Sequence, residues 1–192
     1  MDYRVVLLVL LACGIPLGSD ARAVEPRDLE LVDLAGRTHF PLRVADSQAT
    51  VLFFLLQDCP ISNAYAPEIN RIATEYSTRR VTTFIVYVDP ELSAEEARRH
   101  ATEFGYRAPV LRDAEHKLVR HAGVTTAPEV AVFGTRGTRV YRGRIDDWYT
   151  DLGKRRIQPS VRDLRDALDA MLAGRPVREP MTRAIGCPIP ER

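Results

Sequence analysis

Gln57–Pro67, which reads QDCPISNAYAP, is the stretch that decides the fold of this 192-residue chain. The apolar run Thr50–Leu56 precedes it and has the length and composition of one buried β-strand. Beyond it, the apolar residues recur at helical spacing, at Ile69, Ile72, Ala73 and Tyr76. The sequence therefore predicts that a central strand ends at Cys59 and that a helix over residues 60–78 begins there, kinked at Pro67.

Cys59 is the candidate nucleophile of this junction. Pro60 suits the first helical position, and the unpaired N–H groups and dipole of a helix N-terminus stabilise a thiolate over a thiol. These features predict a solvent-facing, reactive cysteine. The alternative is a buried and inert one, because a free cysteine packs as a small apolar group. Ser62, one turn later, either donates a hydrogen bond to the Cys59 thiolate or is a helix residue with no chemistry.

A second motif, Gly123–Phe133 (GVTTAPEVAVF), places a proline directly before an apolar strand. Together, the two motifs resemble the active-site segment of thioredoxins and the loop whose cis-proline faces the redox cysteine. The resemblance covers about residues 45–145 and implies a cis Ala127-Pro128 bond beside Cys59. It also implies that the backbone at Ala127 receives the substrate chain. The substrate-binding residues expected from it are Pro60, Ser62, Ala127 and Pro128.

The chain departs from three related patterns. Thioredoxin's Cys-x-x-Cys is replaced by Cys59-Pro60-Ile61-Ser62, and a serine cannot resolve a mixed disulfide. Peroxiredoxins have threonine or serine three residues before the peroxidatic cysteine, where this chain has Leu56, so disulfide exchange is favoured over peroxidase activity. Sco-type copper chaperones have a second cysteine where this chain has Asn63. No metal site is predicted, and ordinary surface or hairpin positions are expected for the four histidines, His39, His100, His116 and His121.

The N-terminus has the pattern of a secretory signal. Arg4 precedes a short apolar core, and Ala21-Arg22-Ala23 fits a cleavage site, so residues 1–23 are predicted to be removed. The apolar core is too short for a permanent membrane span, and no transmembrane segment is predicted in the mature chain. The expected location is periplasmic or secreted. Lipid anchoring through Cys13 is the alternative, and Leu11 fits that processing pattern poorly.

Composition limits the remaining possibilities. The 27 basic and 26 acidic residues nearly balance, so nothing favours nucleic acid or an anionic membrane as partner. Residues 24–174 are predicted to form one domain, and residues 175–192 an extended, proline-rich tail that carries Cys187. The element order predicts an α/β protein of thioredoxin-like fold. It has a central mixed sheet flanked by helices, an N-terminal β-hairpin around Ala35-Gly36-Arg37, and a polar, irregular loop over residues 144–159.

Cys187 is the second cysteine of the predicted mature chain. An extended tail of about 18 residues reaches well over 40 Å, more than the radius of the domain, so its sulfur can reach Cys59. A bond between them would close a loop of about 128 residues, worth on the order of 4–5 kcal/mol in the chain-entropy model. A structural disulfide and a reversible catalytic one both fit, and the sequence leaves this choice open.

The sequence as a whole is similar to the alkyl hydroperoxide reductase/thiol-specific antioxidant group of redoxins. This resemblance implies a thiol oxidoreductase in which Cys59 attacks a disulfide or peroxide and Cys187 resolves the intermediate. Such a protein needs no cofactor and takes electrons from a thiol protein or a small thiol. The alternative is a non-catalytic module that binds copper or a client protein through the same two cysteines.

Overall fold

The structure, a computed structural model, describes residues 29–191. Its strands are β1 (Leu31–Val32), β2 (Thr38–His39), β3 (Ala49–Leu55), β4 (Val81–Tyr87), β5 (Val110–Arg112), β6 (Thr126–Ala127), β7 (Glu129–Gly134), β8 (Arg139–Gly143), β9 (Tyr149–Asp151), β10 (Lys154–Arg155) and β11 (Cys187–Pro188). Its helices are α1 (Pro60–Ala64), α2 (Ala66–Ser77), α3 (Ala94–Glu103), α4 (Lys117–Ala122) and α5 (Asp163–Leu172). None of these helices is long and apolar enough to cross a membrane. The predicted signal peptide and Cys13 lie outside the described residues.

The central sheet has five strands in the order β5-β4-β3-β7-β8. The first three are parallel, whereas β7 and β8 are antiparallel to their neighbours. All seven residues of β3 are buried, which explains why its sequence is a continuous apolar run. The predicted mixed sheet flanked by helices is therefore confirmed, and Cys59 follows the carboxyl end of its central strand.

The core has one layer on each face of the sheet. Val51, Phe53 and Leu55 of β3 point to the layer formed by α1, α2 and α5. Leu52 and Phe54 point to the opposite layer, which contains α4 and the N-terminal hairpin. Because successive side chains of a strand face opposite sides, β3 holds both layers together and fixes the position of the turn that follows it.

The N-terminal hairpin is present as predicted, with β1 antiparallel to β2. Asp33 fixes its turn, because its carboxylate accepts hydrogen bonds from the backbone N–H groups of Ala35 and Arg37. Burial raises the pKa of this carboxyl, but its hydrogen bonds, including those to the Arg37 and His39 side chains, outweigh burial and lower it to about 2. Asp33 is therefore ionised at neutral pH, and its negative charge is held by the hydrogen bonds of the hairpin turn.

The predicted kinked helix consists of two helices that meet at Tyr65. Pro67 has no N–H to donate to the turn before it, so the helical hydrogen-bond ladder is interrupted there. The Tyr65 N–H makes the last bonds of α1, to the carbonyl groups of Ile61 and Ser62, at 3.2 Å each. The break leaves α1 as a short helix that serves mainly to position Cys59 and Ser62.

The segment before α5 differs from the expected irregular loop. It contains the two-stranded β9–β10 hairpin, beside which Trp148 packs on Tyr149. Ser160, whose residue type favours helix N-caps, does not cap α5, because its N–H and hydroxyl both donate to the carboxylate of Asp147, at 2.6 and 2.5 Å. The helix begins later, at Asp163. Asp147, 13 residues earlier in the chain, thus occupies the hydrogen-bonding groups with which Ser160 could have capped the helix.

The C-terminal tail is extended, as expected, and lies on the domain. It first runs beside the edge strand β8, where Arg142 exchanges backbone hydrogen bonds with Pro180 and Thr182, both at 3.0 Å. Further on, β11 pairs antiparallel with β6, with Cys187 opposite Ala127. The tail therefore reaches the turn that carries Cys59.

Candidate redox site

Cys59 is the N-cap residue of α1 and its side chain is almost fully buried, with 1% of its surface exposed. The expectation of a solvent-facing cysteine is therefore wrong for this state of the protein. The junction itself is where the sequence placed it, and the neighbouring Pro60 and Asp58 are exposed. The sulfur is covered because the C-terminal tail lies over it.

The Cys59 sulfur is bonded to that of Cys187, whose Cα atom lies 6.0 Å away. This separation is ordinary for a disulfide and agrees with the expected approach of the two cysteines. The bond joins residues 128 positions apart and fixes the far end of the chain to the central strand's turn. Cys187 is only partly buried, so the two halves of the disulfide differ in exposure.

The loop facing Cys59 contains a cis Ala127-Pro128 peptide bond, as the resemblance implied. The Ala127 carbonyl oxygen lies 3.2 Å from the Cys59 sulfur, so the two motifs meet in space. The backbone edge expected to receive a substrate chain is occupied by the protein's own tail, with Cys187 opposite Ala127 and Pro188 opposite Thr126. Any client chain that used this edge would have to displace the tail.

Gly186 allows this close approach of the tail. A Cβ atom at this position would lie 2.6 Å from the Ala127 carbonyl carbon and 3.0 Å from Cδ of Pro128. Gly143 has the same role at the other contact, where a Cβ would lie 2.8 Å from the backbone nitrogen of Thr182. Any larger residue at these two places would push the tail off the domain.

Glu129 supports the cis-proline loop from within, and the sequence reasoning missed it. Its buried carboxylate accepts hydrogen bonds from the N–H groups of Thr125 and Thr126, at 3.0 and 3.3 Å. Nε of Arg142 lies 3.3 Å from its other oxygen. The available signal was a carboxylate directly after Pro128, at the start of an otherwise apolar strand, where an unpaired charge would be costly.

Ser62 lies one turn after Cys59 and is completely buried. Its hydroxyl has no hydrogen-bond partner among the described residues. Buried hydroxyls are nearly always paired, and an unpaired one costs about 1–3 kcal/mol. Ser62 is the third residue after the N-cap, a position whose groups reach the N-cap side chain. A Cys59 thiolate, formed when the disulfide is reduced, would be a hydrogen-bond acceptor for this hydroxyl.

His100 belongs to a buried hydrogen-bond chain behind the Cys59 turn, which corrects the expectation of a surface histidine. Its Nε2 lies 3.0 Å from Oδ1 of Asn63, and its Nδ1 lies 2.5 Å from the Tyr87 hydroxyl. The Asn63 amide in turn donates to the Gln57 carbonyl, at 2.9 Å. The chain links β4 and α3 to the turn. His116 is buried too, with Nε2 at 2.7 Å from the Val88 carbonyl.

This chain gives a pH-dependent prediction. Burial lowers the pKa of His100, so folding favours the neutral ring. The stability that this provides is present above the unfolded pKa of about 6.5 and is lost as the pH falls through it, because the unfolded chain then binds the proton. His100→Gln should cost about 1–2 kcal/mol at pH 7.5, and the difference from wild type should shrink at pH 5. Urea unfolding at both pH values measures this.

Tyr87→Phe is the matched control, since it removes one hydrogen bond but keeps the titrating ring. Its pH dependence should follow the wild type's. The same pH slope in wild type and His100→Gln would show that His100 does not titrate in this range.

A second buried pair lies at the junction of α1 and α2. The Tyr65 hydroxyl donates to Asp146 Oδ1 at 2.6 Å, and the Trp148 N–H donates to the same oxygen at 2.9 Å. Burial raises the pKa of Asp146, and it raises that of Tyr65 together with the hydrogen bond to Asp146. The pair fastens the break between α1 and α2 to the segment after β8. Its contacts join residues 81 positions apart, which a sequence pattern does not reveal.

Within residues 29–191, no three or more histidine, cysteine, aspartate or glutamate side chains are grouped so that they could hold a metal ion.

A buried cysteine at the end of a central strand, a facing cis-proline loop and this sheet order define a thioredoxin-like redoxin. The AhpC/TSA family profile matches residues 25–142, more than half of the chain, and the chain belongs to this family. A search among curated proteins gave no significant match.

Solved structures agree with this fold. An uncharacterized conserved protein from Geobacillus kaustophilus is 28% identical, with a TM-score of 0.74 over 86% of this chain and 90% of its own. A hypothetical protein from Sinorhizobium meliloti is 26% identical, with a TM-score of 0.73 over 84% of this chain and 90% of its own. A secreted Mycobacterium tuberculosis disulfide oxidoreductase homologous to E. coli DsbE is 18% identical, with a TM-score of 0.53 over 79% and 99% of the two chains. At 18% identity, the similarity to the Mycobacterium tuberculosis protein shows a shared fold and nothing more.

Proposed function

We propose that this protein is a thiol–disulfide oxidoreductase whose redox pair is Cys59 and Cys187. The observation that carries the proposal is the disulfide between these residues at the cis-proline loop, the place where this fold performs sulfur exchange. Family membership supports the same class of chemistry. The working compartment is periplasmic or secreted, and the partners are a thiol protein or a small thiol. The Cys59–Cys187 reaction itself uses no cofactor.

In the reduced protein, Cys59 is the nucleophile. Its thiolate attacks one sulfur of a substrate disulfide, so that a mixed disulfide forms and the other substrate sulfur leaves as a thiolate. The Cys187 thiolate then attacks the Cys59 sulfur, the first substrate sulfur leaves, and the Cys59–Cys187 bond re-forms. Two electrons pass from the protein to the substrate. Ser62 has no sulfur to contribute, so Cys187 is the resolving residue in the tail.

Substrate access depends on the state of the tail. With the disulfide intact, β11 covers Cys59. After reduction, this end of the tail is held by a strand pair only two residues long, which has few hydrogen bonds to lose. We propose that β11 separates from β6 when substrate binds at Ala127 and Pro128, and returns when Cys187 resolves the intermediate.

Turnover of a disulfide-bonded peptide, with a thiol donor present, tests this function. Cys59→Ser should reduce turnover to the uncatalysed background, because no nucleophile remains. Cys187→Ser should accumulate a mixed disulfide between Cys59 and the peptide, which mass spectrometry detects. Hydrogen peroxide, offered as an alternative oxidant, should be consumed more slowly than the disulfide-bonded peptide. The reason is that Leu56 stands where peroxiredoxins have a threonine or serine.

The control is Ser77→Ala, which changes an exposed hydroxyl at the end of α2 and should leave turnover at the wild-type rate. Unchanged turnover in Cys187→Ser without added small thiols would contradict resolution by the tail. If neither sulfur can be reduced while the protein stays folded, the disulfide is structural and the proposed function is wrong.

A further inference from the structure

The two cysteines of the disulfide are not equally exposed. Cys59 is 1% exposed, whereas Cys187, in the covering strand, is partly exposed. Gly186 lies directly on the Ala127 carbonyl, with no space for even a methyl group between them. A thiol arriving from solvent therefore meets the Cys187 side of the bond first.

The tail is held over Cys59 by contacts other than the disulfide. The Ile189 N–H donates to the Thr125 carbonyl at 3.0 Å, just beyond Cys187. On the other side, the Thr182 hydroxyl lies 2.7 Å from that of Tyr141 and accepts from the Arg144 N–H at 3.1 Å. In the oxidised protein these contacts act together with the disulfide. Direct attack on Cys59 would require the tail to be lifted while it is still cross-linked.

The geometry of exchange also separates the two sulfurs. A thiolate attacks a disulfide sulfur and expels the other one, and the sulfur with the lower thiol pKa leaves faster. If Cys187 is attacked, Cys59 leaves at the N-cap of α1, three residues before Ser62, whose buried hydroxyl has no partner among residues 29–191 and is in sequence position to donate a hydrogen bond to the new thiolate. If Cys59 is attacked, Cys187 leaves from the extended strand β11, which has no helix N-terminus to stabilise a thiolate.

We propose that the thiol donor that reduces this protein attacks Cys187, and that Cys59 is the leaving group. This inference rests on the proposed function and adds the direction of its reductive half. The donor thiolate bonds to the Cys187 sulfur, the Cys59–Cys187 bond breaks, and Cys59 leaves as a thiolate. A second donor thiolate then attacks the donor sulfur of this mixed disulfide, and Cys187 leaves as a thiolate. Two donor thiols become one disulfide, and their two electrons reduce the protein.

This assignment separates the roles of the two cysteines by half-reaction. Cys187 accepts attack from the donor in the oxidised protein, and Cys59 attacks the substrate in the reduced protein. The donor does not need the groove at Ala127, since the tail stays in place during its attack. The donor thus reacts while β11 is paired with β6, and the substrate reacts after β11 has separated from β6.

The test uses the oxidised full-length protein and glutathione as donor. Samples are quenched in acid at early times, and peptide mass spectrometry locates the glutathione. At least ten times more should be found on Cys187 than on Cys59. A parallel arm uses a thioredoxin whose second cysteine is replaced by serine. The faster donor identifies the source of electrons as small thiol or protein, and in both arms the adduct should lie on Cys187.

Two variants extend the test. Gly186→Ala lifts the tail from Ala127 and should raise the fraction of adduct on Cys59 at least threefold. Ser62→Ala removes the donor to the leaving thiolate and should slow adduct formation about threefold to tenfold, without changing the sulfur attacked. A merely structural role of Ser62 would leave this rate unchanged, and Ser62→Thr, which keeps the hydroxyl, should restore it.

Adducts mainly on Cys59 in the wild type would overturn this inference and leave the proposed function standing. A disulfide that glutathione and the thioredoxin variant fail to reduce in the native protein, but do reduce in urea, would overturn both.

Discussion

The Cys59–Cys187 cross-link closes a loop of about 128 residues. Its removal is therefore expected to lower the free energy of unfolding by about 4–5 kcal/mol. The free chain gains conformational freedom in the unfolded state, and the tail loses its covalent attachment to the domain. Urea unfolding of the oxidised protein, compared with that of Cys59→Ser, Cys187→Ser and the double variant, measures this loss. The single and double variants should agree within about 1 kcal/mol, because either substitution removes the same bond.

Two comparisons test whether the loss of stability comes from the missing cross-link. Wild-type protein reduced under conditions that keep it folded should unfold like the double variant. The urea dependence should also be steeper for the variants, since their unfolded chain exposes more surface. A loss below about 1 kcal/mol would show that the tail is held by its backbone contacts and not by the cross-link.

This stability has a consequence for redox chemistry. By linkage, a disulfide that stabilises the fold is itself stabilised by folding, to the same extent. A stabilisation of about 4–5 kcal/mol corresponds to a reduction potential about 90–110 mV lower than in the unfolded chain. In the proposed reduced state, the buried hydroxyl of Ser62 would act in the opposite direction, because the Cys59 thiolate would offer it the acceptor that it lacks among the described residues. The reduction potential of the site thus depends on two opposing effects. The folded tail favours the disulfide, and the helix turn favours the Cys59 thiolate.

The sequence predicted the part of the site that is encoded locally. The apolar run of β3, the Cys59-Pro60 turn and the proline at residue 128 each occupy a short window, and their chemistry determines the backbone around them. The pairing of Cys59 with Cys187 followed from having two cysteines and a tail long enough to connect them.

The remaining features depend on contacts between distant residues. That Cys59 would be buried depends on where the tail lies, and this in turn depends on the small size of Gly186 and Gly143. The place of His100 could not be read from α3 alone, because its partners Tyr87 and Asn63 lie 13 and 37 residues away. Side-chain pairing at such separations leaves no periodic signal in the sequence.

Glu129→Ala is expected to have the second-largest effect, a loss of about 2–4 kcal/mol in the free energy of unfolding. The substitution leaves the Thr125 and Thr126 N–H groups without their acceptor and the Arg142 guanidinium without its carboxylate. These groups support the loop that carries Ala127, so the loss should also reach the redox site. The rate at which the reduced protein re-forms its disulfide should fall, because the loop and the β11 pairing position Cys187.

Glu129→Gln separates the two contributions, since the amide oxygen can still accept hydrogen bonds while the charge is lost. It should cost about half as much as Glu129→Ala, and its disulfide should re-form at nearly the wild-type rate. Glu95→Ala is the control for an exposed ion pair, because the Glu95 and Arg99 side chains are 80% and 64% exposed; it should cost less than about 0.5 kcal/mol. If Glu129→Ala is as mild as Glu95→Ala, the loop is held by its strand pairing and not by the buried carboxylate. In that case, Arg142, which also donates to the Gly123 carbonyl, would not depend on Glu129 for its position.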